Sequence, residues 1–180
     1  MTFPSFNVGE VLTAADMNAV GLWLVKTQSW TNATTTTVND AFSSNYKNYK
    51  IIANVTGSGV AQNLGLRLRT ATADIGAGQY AYQTQFVNYT VAGWATGGVT
   101  NTANDWTDFV RLQASEEAFG EMDIFGPNTV NVTTMQVRCS DALLHRVGGG
   151  YVNNTTAATG FRLVSPNNTS GTVRVYGYRN

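Results

Sequence analysis

The sequence predicts an all-β protein, an antiparallel β-sandwich of the jelly-roll kind with an extended N-terminal arm and one short helix. Three observations predict it. The chain carries 25 threonines and 18 asparagines among 180 residues, an excess of strand formers and turn formers. From residue 30 onward, short β-prone runs recur at spacings near a dozen residues, separated by Gly, Asn and Thr loops, the spacing of a sandwich or barrel. Helix signals are confined to one segment before residue 21. Unequal loops and the absence of a strict repeat favour the sandwich over an irregular barrel and exclude a propeller or solenoid.

In chain order, Met1 to Val8 holds Phe3, Pro4 and Phe6 with too little local sequence to bury them, and reads as an extended arm. Val11 to Val20 follows as a helix of about two turns. Thr13 can cap it, Asp16 can return the bond as a capping-box variant, and Gly21 stops it. Strands are then expected at 30–38, 48–56, 64–69, 80–89, 105–112, 121–125, 129–139, 143–152, 161–164 and 172–178. In the third, Leu64, Leu66 and Leu68 alternate with Gly65, Arg67 and Arg69, which gives it one wet face. Phe125-Gly-Pro-Asn128 is a turn, and Gly148 to Gly150 reads as a bulge or tight bend. Residues 1–21 form the arm and helix, and residues 22–180 form one β unit.

Composition also bounds function. Eleven basic residues balance eleven acidic ones, and only 12% of residues are charged, which excludes a phosphate-tracking nucleic-acid surface. The hydrophobic share of 43% excludes a disordered chain. A single cysteine, Cys139, excludes an internal disulfide framework and a multi-cysteine zinc site. It alternates with Met135 and Val137 and reads as a small core hydrophobe. No signal peptide or membrane span is read in the sequence. With this much Asn and Thr, eight Asn-x-Ser/Thr triplets carry no message about glycosylation.

Catalytic motifs are absent from the pattern. The one histidine, His145, lies on an expected strand and reads as a sheet residue satisfied by a neighbour. No Gly-x-Ser-x-Gly elbow accompanies it. Asp105, Asp108, Glu116, Glu117, Glu121 and Asp123 are close in sequence, but a general acid and base must face each other across a cleft, and such a run normally marks a solvated face. No Asp-x-Asp-x-Asp-Gly calcium loop, Walker motif or dinucleotide motif occurs. The expectation is no catalytic residue, no metal and no cofactor. One segment suits recognition: Trp94 sits in a loop of small residues, with Tyr89 and Trp106 at its ends, an aromatic set that could stack on a glycan. The alternative is that both tryptophans plug the end of the sandwich.

Three segments carry a resemblance: Phe6-Asn-Val-Gly-Glu-Val-Leu-Thr-Ala-Ala-Asp-Met-Asn-Ala-Val20, Ala41-Phe-Ser-Ser-Asn-Tyr-Lys-Asn-Tyr-Lys-Ile-Ile52 and Gly171-Thr-Val-Arg-Val-Tyr-Gly-Tyr-Arg-Asn180. The opening Gly-x-Val-Leu-Thr-Ala-Ala-x-x-Asn resembles the start of many minor tail and tail-fibre proteins of tailed bacteriophages. The closing segment is similar to the end of small phage β-domain proteins. The resemblance implies a non-enzymatic structural protein of the virion, assembled in the host cytoplasm, with other virion proteins as partners and a homotrimer as its oligomer. In that setting Phe3, Phe6, Val11, Leu12, Met17 and Val20 would anchor the arm in a neighbouring subunit, at about 1.5 to 3 kcal/mol for each side chain buried. The β unit would face outward and contact a host surface glycan through Tyr89, Trp94 and Trp106. A capsid decoration protein or head fibre, and more remotely a carbohydrate-binding protein, fit the same residues. An arm folded back on its own sheet is the alternative to anchoring.

Overall fold

Period-two alternation builds the sheet. A computed structural model describes residues 21–178, except 77, 92, 154 and 155 and the side chains of 99–102. Among the described residues ten strands form: β1 (Leu22–Val38), β2 (Asn48–Gly57), β3 (Gln62–Arg69), β4 (Tyr80–Asn88), β5 (Trp94–Ala103), β6 (Trp106–Leu112), β7 (Glu117–Phe125), β8 (Thr133–Ser140), β9 (Leu144–Val152) and β10 (Gly160–Tyr178). The expected arm and capped helix, with Phe3, Phe6, Val11, Leu12, Met17 and Val20, lie outside the described residues. No helix occurs among the described residues.

All the strand pairs are antiparallel, in the order β5-β4-β9-β8-β7-β2-β10-β3-β6, with β1 along the other side of β10. The protein is therefore all-β and antiparallel, but its hydrogen bonds run through one curled sheet and do not divide it into two. The reason is β10. Its second half pairs with β2 and its first half with β3 on the same edge, so one strand belongs to both ends of the sheet. Strands that turn such corners do so at bends or bulges. Here the ladder with β1 slips at Trp30/Ala33 and Ala33/Thr35, opposite Ser165 to Asn168 of β10. Asn32 takes a left-handed φ of 51° at that point, a conformation Asn tolerates.

Gln62 fixes the bend. Its side chain is buried, and its Oε1 accepts from the Ser165 hydroxyl at 2.9 Å and the Asn167 amide at 3.0 Å. Beyond this corner β6, paired with β3, folds across the inner face of β7 and β8, and the core fills the space between. Tyr49, Ile51, Ala53 and Val55 of β2, Met122 and Ile124 of β7, and Met135, Val137 and Cys139 of β8 meet Leu64, Leu66, Leu68, Phe109, Val110 and Leu112 there. Contact between the two ends is tight. A Cβ on Gly120 of β7 would stand 2.6 Å from Val110 Cγ2 of β6.

The face of β3 expected to be wet is largely covered, with Gly65 and Arg69 buried and Arg67 half-buried in an ion network. Asp74 accepts Arg162 at 2.9 Å and Arg67 at 3.3 Å, with Arg69 at 3.8 Å, while Arg67 also reaches Asp105 at 3.2 Å. Three further expectations need correction. β5 is a strand where a loop is expected. Residues 161–164 and 172–178 belong to one strand that passes through Pro166. Gly148 to Gly150 are neither bulge nor bend, since the ladders of β9 with β4 and β8 run through them without slipping. These glycines provide clearance. A Cβ on Gly148 would lie 2.6 Å from the Gln83 carbonyl oxygen, and one on Gly150 2.3 Å from that of Ala81.

Candidate functional site

The three aromatics expected to act together are separated by the fold. Trp106 opens β6 and points into the core with no exposure, edge-on to Tyr80 at 5.3 Å between ring centres. Its Nε1 donates to the Tyr151 carbonyl at 3.4 Å. It is not available to a ligand, so the expected contact loses this member. The physical reason is that strand alternation puts Trp106, Val110 and Leu112 inward. Trp94 and Tyr89 are exposed, at 63% and 59%. Trp94 is not in a loop but is the first residue of β5, opposite Val87 of β4.

The acidic run is likewise split between the two faces. On the inner side, Asp108 holds buried Arg146, Asn63 and the Thr84 hydroxyl. On the outer side, Glu121 binds Arg138 at 2.8 Å and Lys50 at 3.5 Å, and Asp123 binds Lys50 at 3.1 Å. The Tyr178 hydroxyl also donates to Asp123; burial and that carboxylate push the Tyr178 pKa well above its ordinary value. Each of these three carboxylates is therefore committed to a cation. Among the described residues, no three His, Cys, Asp or Glu side chains are placed to hold a metal ion. His145 Nδ1 lies 2.8 Å from its cross-strand neighbour Ser140 Oγ. The Asp141 Oδ1 next to them is taken by the Leu143 and Leu144 amides at 2.8 Å each, so it tightens the β8–β9 turn and does not orient the imidazole. Cys139 is buried on β8, which pushes its thiol pKa up.

A different feature emerges from strand register. On the outer face, cross-strand partners fall into rows. Gln83 of β4, Gly149 of β9, Gln136 of β8 and Asp123 of β7 form one row. Thr96, Gln85, Val147, Arg138 and Glu121 form the next. Ala81, Tyr151 and Thr134 lie on one side of this pair of rows, and Trp94, Val87 and His145 on the other. Because Gly149 has no side chain, the first row is open at its middle. The result is a trough of about 710 Å³ lined by Gln83, Gln85, Thr96, Gln136, Arg138 and Gly149. A second hollow of about 560 Å³ shares Gln83, Thr96 and Gly149 and continues it to Tyr151.

None of Gln83, Gln85, Thr96 and Gln136 stood out in the sequence. The one local signal is Gln83-Thr-Gln85, whose period of two places both amides on one face. Their meeting with Gln136 depends on the pairing of β4 with β9, in which Gln83 and its partner Gly149 are 66 positions apart. No family model matches this chain, and no curated protein matches its sequence. Among the described residues, no helix is long and apolar enough to cross a membrane.

Proposed function

We propose that this protein is a non-enzymatic structural component of a bacteriophage virion, tail- or fibre-like, held by its N-terminal segment and β1 against a neighbouring subunit with the rest of the sheet facing outward. The observation that carries the reading is the outer edge of β1. No described strand pairs with it, its 17 residues contain one charge, Lys26, and Leu22 and Leu24 are 45% and 57% exposed. Long, charge-poor edges invite pairing with another chain, and proteins that remain monomers protect them. Bulges near Val25 and Asn32 interrupt this edge, but no Pro and no second charge do. The edge also follows directly on the apolar segment containing Phe3, Phe6, Val11, Leu12, Met17 and Val20, so anchor and edge would form one continuous surface. The resemblance of both chain ends to small phage virion proteins supports the same reading.

The oligomer in this proposal is a homotrimer. The fold is read more finely as a jelly-roll-like sandwich whose two leaves share β1 and β10, a reading supported by the core that fills the space between β3–β6 and β2–β7–β8. The committed acidic residues support a role without catalysis.

Quantitative mass spectrometry of purified particles tests the proposal, with the major capsid protein as the reference. A low copy number is the expected result. A number comparable to the capsid subunit would move the protein to capsid decoration, and absence from particles would refute a virion role. Leu22→Lys with Leu24→Lys should leave a folded chain that no longer joins particles.

A further inference from the structure

We propose that the trough on the outer face of β4, β9 and β8 is a binding site for a neutral oligosaccharide, laid between Tyr151 at one end and Trp94 at the other. Four observations carry this. The side chains of Gln83, Gln85 and Gln136 are exposed and make no hydrogen bond to another described group. Each amide offers a donor and an acceptor together, the pattern that neighbouring sugar hydroxyls answer. Gln83 and Gln136 flank Gly149 from adjacent strands, so they stand roughly 10 Å apart with nothing between them. That gap admits one pyranose ring.

Charge narrows the class of ligand. The ionised groups at the trough are Glu121, Asp123, Arg138 and, beside them, Lys50, and they neutralise one another at 2.8 to 3.5 Å. Two acidic and two basic groups cancel, so the trough carries no net charge to attract phosphate, sulfate or a carboxylated sugar. Aromatic rings supply the remaining contact. Tyr151 is 37% exposed beside the small partners Ala81 and Thr134. Trp94, two residues from Thr96 along β5, lies on the same face. Three row steps separate them, roughly 20 Å, a span for a few rings. The volumes of about 710 and 560 Å³ fall in the usual range for small-ligand sites, about 300–1,000 Å³ each. Glu121 and Asp123 lie side by side on one strand and do not face each other across a bound glycosidic bond, so the site retains its ligand and does not cleave it.

The inference deepens the proposed function by naming what the outward face would hold. It does not depend on assembly, because a single chain contains the whole trough. The test is titration calorimetry of the full chain with neutral hexasaccharides of glucose, galactose, mannose and N-acetylglucosamine in α and β linkage, and with heparin as the charged comparison. Saturable binding of at least one neutral probe is expected. It should weaken about tenfold or more in Gln83→Ala with Gln136→Ala, and similarly in Trp94→Ala. Melting temperature should not change, because these side chains are exposed. No binding of any neutral probe, preference for heparin, or binding indifferent to both variants would overturn the proposal. Particle incorporation of the Gln83→Ala and Gln136→Ala chain should remain normal, which separates failure of this site from failure of the structural role.

Discussion

Asp108 ties β6 to three other strands, and replacing it by alanine should be among the costliest single changes in the chain. Its Oδ1 accepts from Asn63 at 2.8 Å and forms an ion pair with Arg146 Nη1 at 2.5 Å, and its Oδ2 accepts the Thr84 hydroxyl at 3.1 Å. The side chains of Arg146 and Asp108 are only 9% and 12% exposed. Asp108→Ala would leave the guanidinium buried without a counter-charge, and breaking a buried pair in this way costs about 3–5 kcal/mol. The Phe86 ring, 5.4 Å from Arg146 Cζ, faces the guanidinium before and after the change and so does not lower this cost. The expected loss of about 3–5 kcal/mol is a large share of the roughly 5–15 kcal/mol that holds a domain together. Urea unfolding followed by tryptophan fluorescence measures it, since Trp106 is packed in the core on the same strand. The midpoint should fall with an unchanged denaturant slope. Asp108→Leu combined with Arg146→Met removes both charges and should return most of the lost stability. A single variant that loses less than about 1 kcal/mol, or a double variant less stable than the single, would refute the view that uncompensated charge is what matters here.

Gln62→Ala should lower stability by about 2–4 kcal/mol, since it strands the Ser165 hydroxyl and the Asn167 amide in the bend of β10; the melting temperature should drop by roughly 5–10 °C in calorimetry. Cys139 should resist thiol reagents in the native protein and react once per chain in denaturant, because it is buried with a raised pKa; rapid native labelling would contradict the packing of β8. Burial also raises the pKa of Tyr49, Tyr80, Tyr82 and Tyr178 above the ordinary 10.0. The folded state therefore holds these protons more tightly, so their contribution to stability is complete below pH 10 and is lost as pH rises through the folded values. Alkaline titration should show part of the tyrosinate absorbance rising only together with loss of the β-sheet circular dichroism signal, and ionisation of all eight tyrosines before any loss of structure would contradict it.

Most of the strand positions were legible because one face of each strand is buried. Leu64, Leu66 and Leu68 of β3, and Met135, Val137 and Cys139 of β8, follow the period-two rule directly and are buried as expected. β5 escaped because Trp94-Ala-Thr-Gly-Gly carries no alternation: it is an edge strand, and its exposure leaves no apolar pattern to read. β10 was divided in two because Pro166 and two asparagines are breaker residues; in the fold they form the bend, where the lack of a Pro donor costs little. The site was less legible than the fold. Trp94 and Tyr89 are exposed as a contact requires, whereas Trp106, with the same residue type and nearby in sequence, is core. Nothing local distinguishes them except the alternation of β6. The trough depends on a glycine standing between two glutamines from other strands, a relation of register that one-dimensional patterns do not contain.

The double membership of β10 has a consequence for synthesis. β1, β2 and β3 emerge from the ribosome first, yet each must pair with β10, and Ser29 and Thr172, which bond across the β1–β10 ladder, are 143 positions apart. At about 5–20 residues per second, the early strands wait roughly 7–30 s with their edges open. So non-local a closure makes folding slow, and a ribosome that stalls before residue 160 leaves a nascent chain whose Leu- and Ile-rich strands lack the partner that holds them together. Such chains are natural clients for holding chaperones, and yield on expression should depend on translation speed through the second half of the message more than on the stability of the finished fold.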